Sequence, residues 1–256
     1  MGMVVPAQVT PATARRSLRT VALVGIDGSG KTTQAHVLAD QLAAAGLPAT
    51  YRRNAGGRRW FGRLATALGR RDGDELLGRR LMLLVESLLR WLAILRTLLR
   101  RSVTREIAIM DRYAVCQYAS LRAHGARPAA ERRARLAYRL FPKPDITFLL
   151  AVDPEIAYSR IESRGYDHEE MSYLRAATAA YRSLPEYGDF VVIDANGTPA
   201  EVNAAIHAQL ISAADAPAPR PSRLPAVLTG SRTLILAFGS LLAGVTALGY
   251  QLVEAL

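Results

Sequence analysis

An α/β fold, built on a parallel five-stranded sheet with helices on both faces, is predicted by three observations in the 256-residue sequence. Short apolar runs alternate with helical stretches through the first 214 residues, the signature of strands joined by helical crossovers. The first run ends in a glycine-rich turn, GIDGSGKT, that opens directly into a helical pattern. Gly25, Arg53, Asp111 and Asp153 all fall at the carboxyl ends of such runs, where ligands gather in open parallel sheets.

Residues 20–25 (TVALVG) form a continuous apolar run bounded by glycine, as expected of a strand buried on both faces. A helix over residues 31–45 follows. Further strands are expected at 48–53, 107–111, 145–152 and 190–194. The long apolar stretch 76–99 is interrupted by Arg79, Arg80, Glu86, Arg90 and Arg96, which makes it an amphipathic helix rather than a membrane span.

The turn between the first strand and its helix is a complete phosphate-binding loop. Gly25, Gly28 and Gly30 let backbone N–H groups converge on phosphate oxygens, and the helix adds its positive end. Lys31 is expected to reach the β- and γ-phosphates and Thr32 to ligate Mg²⁺. The nucleotide cradle therefore runs through Gly25, Ile26, Asp27, Gly28, Ser29, Gly30, Lys31, Thr32 and Thr33, with ATP and Mg²⁺ as cofactors. Farther along, Asp111-Arg112-Tyr113 closes an apolar strand and sets a carboxylate and a guanidinium beside the triphosphate. The carboxylate suits a metal-bound water or acceptor orientation, and the planar fork of Arg112 suits an acceptor phosphate.

The net charge of +11 is carried by arginine, since Lys31 and Lys143 are the only lysines. Such a balance favours anionic partners, nucleotides and acidic lipid headgroups first, with no specific nucleic acid expected. The single cysteine, Cys116, excludes an intrachain disulfide and a cysteine-cluster metal site. Residues 1–19 are expected to be a loose basic arm without the apolar stretch of a secretory signal, and 20–214 the folded domain. The proline-rich stretch 215–232 reads as a linker. Residues 233–253 then run for 21 positions without a charge, enough helix for about 30 Å of hydrocarbon. Arg220, Arg223 and Arg232 precede this stretch and only Glu254 follows, so a single C-terminal transmembrane helix would hold the domain at the cytoplasmic face of the bilayer. If that helix is instead buried against protein, the chain is cytoplasmic.

These pieces resemble the thymidylate kinase family of nucleoside monophosphate kinases, in order and over roughly residues 20–214. They are the GIDGSGKTTQ loop, the Arg53-Asn-Ala-Gly-Gly turn, the Asp111-Arg112-Tyr113 triplet and LLAVDPEIAYSRIESRG at 149–165. The resemblance implies ATP-dependent phosphoryl transfer to a nucleoside monophosphate, thymidylate first, by a homodimeric P-loop enzyme. It implies that Arg53 and Arg112 hold the acceptor phosphate, that Asp27 lies near the acceptor sugar, and that Asp111 orients metal or acceptor. Arg160 and Arg164, ahead of a lid at 165–172, are the implied stabilisers of the transferring phosphoryl group, beside Lys31.

The departures from the family cluster on the acceptor side. The family's Arg-Glu-Pro-Gly-Gly-Thr turn is Arg53-Asn-Ala-Gly-Gly-Arg58, Cys116 stands in place of a serine, and an Ala-Tyr-Gln group is Ala119-Ser120-Leu121. The stretch 84–91 (LVESLLRW) carries neither the family's stacking aromatic nor its base-reading arginine in the usual place. Trp60, Phe61 and Trp91 are candidate replacements for the aromatic, although a core or rim role is the more common one for such residues, and His168 is the one histidine placed to matter. Two alternatives follow: a kinase of the same fold with another, membrane-associated acceptor, and a tethered nucleotide-binding protein that transfers nothing.

Overall fold

The computed structural model describes residues 18–70, 73–104, 106–165 and 169–215. Five parallel strands form one sheet: β1 (Thr20–Val24), β2 (Ala49–Arg53), β3 (Ile107–Asp111), β4 (Ile146–Ala151) and β5 (Val191–Asp194), in the order β2-β3-β1-β4-β5. The helices are α1 (Lys31–Ala44), α2 (Arg58–Ala67), α3 (Gly73–Leu77), α4 (Arg79–Thr104), α5 (Ala114–Ala123), α6 (Pro128–Tyr138), α7 (Pro154–Glu162), α8 (Met171–Arg182) and α9 (Pro199–Asp215). All five expected strands form, and β3 has the bounds the sequence predicts.

Strand order fixes where the helices go. The chain steps outward from β1 to β2 through α1 and back inward from β2 to β3 through α4. Because parallel crossovers are right-handed, steps in opposite directions put α1 and α4 on opposite faces of the sheet. The connections from β3 to β4 and from β4 to β5 run the same way as β2 to β3, so α5 to α8 share the face of α4. α9 returns to pack on β5 and α1.

β1 and β3 are buried at every position, which is why both read as unbroken apolar runs. Leu23, Ile109, Met110, Phe148 and Leu150 are among the largest fully buried side chains, each contributing about 1.5–3 kcal/mol through burial. β2 is only half-buried at the sheet edge. The chain reverses direction around β1, with β3 on one side and β4 on the other, and the crevice outside their carboxyl ends is the natural ligand site.

Among the described residues no helix is long and apolar enough to cross a membrane, and α4, the long charged helix, meets that expectation. The predicted span at 233–253, the linker from 216 onward and residues 1–17 of the basic arm lie outside the described residues. So do residues 166–168 of the predicted lid, His168 among them.

Candidate active site

The loop from Gly25 to Gly30 joins β1 to α1. Gly28 and Gly30 take φ angles of +82° and +87°, the left-handed region where a side chain is strained. At Gly28 a second constraint applies, because a Cβ there would lie 2.5 Å from the backbone oxygen of Ala157 in α7. The loop is thus pressed against its neighbour, and only glycine fits. From α8, the Tyr181 hydroxyl donates to the Gly25 carbonyl at 3.2 Å, and burial raises its pKa well above that of a free phenol.

Lys31, the first residue of α1, is 4% exposed. Its Nζ donates to the Ile26 carbonyl at 2.5 Å and to Ser29 Oγ at 3.3 Å, and lies 3.7 Å from Asp27 Oδ1. Burial and the Arg112 guanidinium lower its pKa, against the pull of Asp27 and Asp111. The ammonium is held inside the loop that would receive the phosphates.

Two side chains expected to hold a metal meet next to it. Thr32 Oγ1 donates to Asp111 Oδ2 at 2.6 Å, and the Tyr51 hydroxyl donates to the same oxygen at 3.2 Å. Burial and then the Asp111 carboxylate push the Tyr51 pKa up to about 12, so it remains a donor. Asp111 Oδ1 is buried and makes no hydrogen bond. A hydroxyl and a carboxylate oxygen with spare capacity fit a hard divalent cation. Among the described residues no cluster of three or more histidine, cysteine or acidic side chains could hold one, so Mg²⁺ here would take its other ligands from nucleotide and water.

On the acceptor side, Arg112 Nη2 bonds Asp27 Oδ1. Burial alone would raise the Asp27 carboxyl, but Arg112 and Lys31 overcome it and hold the pKa well below the usual carboxylate range. The same pairing, with Asp111, keeps Arg112 firmly protonated. Arg112 has φ +77°, the one described non-glycine residue in the left-handed region, a strain of order 1–3 kcal/mol that the surroundings must offset. Asn54 does so. Fully buried, it donates its backbone N–H to the Asp111 carbonyl at 3.0 Å and its Nδ2 to the Arg112 carbonyl at 2.8 Å, while accepting from Thr97 Oγ1 at 3.2 Å. The residue that departs from the family pattern is thus the clamp on the Asp-Arg turn. Asn54→Ala is expected to cost about 1–3 kcal/mol for each buried group it orphans, read as a lower denaturation midpoint with a raised acceptor KM. An unchanged midpoint and KM would show that the turn holds itself.

Arg90 also reaches this region. It is buried in α4, and its Nη2 donates to Glu86 Oε1 at 2.7 Å and its Nη1 to Gln117 Oε1 at 2.5 Å. Its charge is close enough to help lower the Asp27 pKa. A guanidinium cannot accept, so the Gln117 oxygen must face it and the amide NH₂ is turned away. Gln117 Nε2, Arg90 Nε and Ser120 Oγ are all buried without hydrogen-bond partners. Sequence reading treated the arginine of this helix as displaced; the fold brings it beside the Asp27–Arg112 pair. Its helical spacing from Glu86 is the signal that was available.

Arg160 and Trp91 are engaged away from the phosphates. Arg160 was expected to face the transferring phosphoryl group, but its Nη1 donates to the Ala195 carbonyl at 2.8 Å and its Nη2 to those of Asn196 and Gly197 at 2.9 and 2.8 Å. Its fork is committed to the loop after β5, which Asn196 also ties to the Asp153 N–H at 2.8 Å. Trp91, a candidate stacking partner, packs on Phe141 and donates to the Ala137 carbonyl at 3.0 Å, joining α4 to α6. Trp60 is half-exposed with its edge against Phe61. Arg164 is exposed, with no side-chain partner among the described residues. Thr33 is exposed at the start of α1, and Arg53 is exposed at the end of β2.

The family model described as Thymidylate kinase matches residues 23–206. The chain is 30% identical over 211 residues to the thymidylate kinase of Bordetella petrii, covering 78% of this chain and 98% of that protein. It is 32% identical over 194 residues to the probable thymidylate kinase of Pyrobaculum aerophilum, covering 75% and 95%. A third relative, the probable thymidylate kinase of Archaeoglobus fulgidus, is 30% identical over 180 residues, covering 69% and 86%. With a phosphate loop, a Thr32–Asp111 pair and an Asp27–Arg112 pair in one crevice, and a match that spans the sheet, the chain belongs to the thymidylate kinase family.

Proposed function

We propose that this chain transfers the γ-phosphoryl group of ATP to a phosphate oxygen of thymidylate, giving ADP and thymidine diphosphate. The observation that carries the reading is the pair of opposed charge sets in one crevice, Lys31 with Thr32 and Asp111 on the donor side and Arg112 with Asp27 on the acceptor side. Phosphoryl transfer asks little covalent chemistry of a protein and much positioning and charge neutralisation. Lys31 and Arg164 offset charge on the transferring group. Arg112 and Arg53 hold the acceptor phosphate, and Asp27 keeps Arg112 oriented. Mg²⁺, held through Thr32 and Asp111, would neutralise phosphate charge. The unpartnered donors of Gln117 and Arg90 suit the carbonyl oxygens of a thymine ring.

One observation favours the second reading, an acceptor other than thymidylate: the carboxylate of Glu86 is buried beside Arg90 in the stretch where the family has its stacking aromatic. A coupled ADP-release assay on the full chain, with ATP, Mg²⁺ and a panel of nucleoside monophosphates, separates the two. Thymidylate is expected to stimulate ADP release above all others. Stimulation by a different nucleotide would transfer the assignment to it, and stimulation by none would overturn transfer to a nucleoside monophosphate, leaving a membrane-associated acceptor or a nucleotide-binding protein. The C-terminal tether belongs to the same reading and rests on the uncharged stretch at 233–253. The full chain is then expected to sediment with lipid vesicles and residues 1–214 to stay in the supernatant; equal behaviour would remove the tether.

A further inference from the structure

A second concentration of charge lies outside the crevice. Between the open edge of β2 and the C-terminal half of α4 is a cavity of about 280 Å³, many times the ~30 Å³ share of one water. Arg52, Arg53, Arg96 and Arg100 line it, with Tyr51 and Thr97. Among the described residues only Arg52 of these has a carboxylate, Glu106 at 3.3 Å, and that group also accepts from Thr50 at 2.6 Å. Arg53, Arg96 and Arg100 make no side-chain hydrogen bond or ion pair among the described residues.

Three uncompensated guanidinium groups around one cavity repel one another, and Arg96 and Arg100, one turn apart on α4, form a like-charge pair that by itself weakens a helix. Helix polarity supplies a motive for a cation in the last turn but not for gathering Arg53 from another element. An anion with several charges would relieve the repulsion, and guanidinium forks match phosphate oxygens two at a time. A single phosphate would answer one or two of these forks, whereas a diphosphate or triphosphate chain would answer all three.

We propose that this cavity is a second anion site that takes a polyphosphate chain, and that its occupancy slows transfer by drawing Arg53 away from the acceptor phosphate. The second half rests on the acceptor role of Arg53 given above; the binding itself does not. Arg53 is also the neighbour whose charge acts on the Tyr51 phenol, which donates to Asp111, so the cavity and the crevice share a wall.

The test is titration calorimetry of the full chain with pyrophosphate, at constant free Mg²⁺ and with the phosphate loop saturated by ADP. The expected result is one site per chain, weakened about tenfold or more in an R96A/R100A variant, since two charge-assisted contacts are lost. Both positions are solvent-facing and outside the transfer machinery, so that variant is expected to keep its rate without pyrophosphate. Pyrophosphate should raise the acceptor KM of the unmodified chain and not that of the variant. Binding that is absent, or identical in the variant, overturns the site. If binding depends on the two arginines but KM does not respond, the coupling through Arg53 is overturned. Replacing pyrophosphate with a nucleoside triphosphate identifies the source: equal affinity points to the phosphate chain alone, tighter affinity to a whole nucleotide, and both support the site. Loss of transfer to thymidylate with pyrophosphate binding intact would count against the kinase reading and leave this site standing.

Discussion

Lys31→Ala is expected to lower kcat/KM for phosphoryl transfer by roughly a thousandfold or more while the chain stays folded, because it removes a fixed positive charge aimed at developing negative charge. The side chain is almost completely buried, and its ammonium is already held by the Ile26 carbonyl and Ser29 Oγ, so little reorganisation accompanies the reaction. Its loss does not strand Asp27, which keeps Arg112. The fold rests on other residues: β1 is anchored between β3 and β4, and α1 packs through Ala35, Leu38 and Leu42. Single-turnover rates at saturating ATP, read beside a thermal melt, make the measurement. Retention of activity within tenfold, with the melt unchanged, would remove Lys31 from the chemistry.

Asp111→Asn is expected to cost about a hundred- to a thousandfold in kcat/KM and to raise the Mg²⁺ concentration needed for half-maximal rate. The substitution keeps the shape of the side chain and an oxygen able to accept from Thr32, so it isolates the charge. Asp111 is only 3% exposed, and its Oδ1 is a buried carboxylate oxygen with capacity to spare. Its charge also adds to that of Asp27 in raising the Arg112 pKa and in opposing the lowering of the Lys31 pKa, so its removal is felt on both sides of the crevice. An unchanged Mg²⁺ requirement would place the metal elsewhere.

The sheet and the phosphate loop were legible because their signals are local. A strand buried on both faces must be apolar along its whole length, and β1 and β3 are. A loop that packs its backbone against α7 at Gly28 must have glycine there. The amphipathic α4 was equally readable from its interrupting charges. What the sequence did not disclose depends on residues distant along the chain. Arg160 sits one helical turn before the RG pair and looks like a phosphate ligand until the loop 35 residues later folds back to claim it. Arg90 finds Gln117 across 27 residues, and Asn54 reaches the Arg112 carbonyl across 58. No periodicity or spacing rule connects such pairs, because each exists only after the helices have docked. Trp91 takes the core role that is the commoner one for a tryptophan, though an aromatic that stacks on a base and one that pins α4 to α6 look alike in sequence.

The placement of β2 at the sheet edge bears on how this enzyme can diversify. The phosphate loop and the Asp111-Arg112 turn grow from β1 and β3, strands with neighbours on both sides, where a change in backbone position would disturb two ladders. The Arg53 turn grows from β2, which is laddered on one side only. Drift there perturbs a single neighbour, and a compensating residue such as Asn54 can restore the Asp-Arg turn from within the same loop. Within this chain the Arg53 turn can therefore shift without displacing the phosphate loop or the Asp111-Arg112 turn.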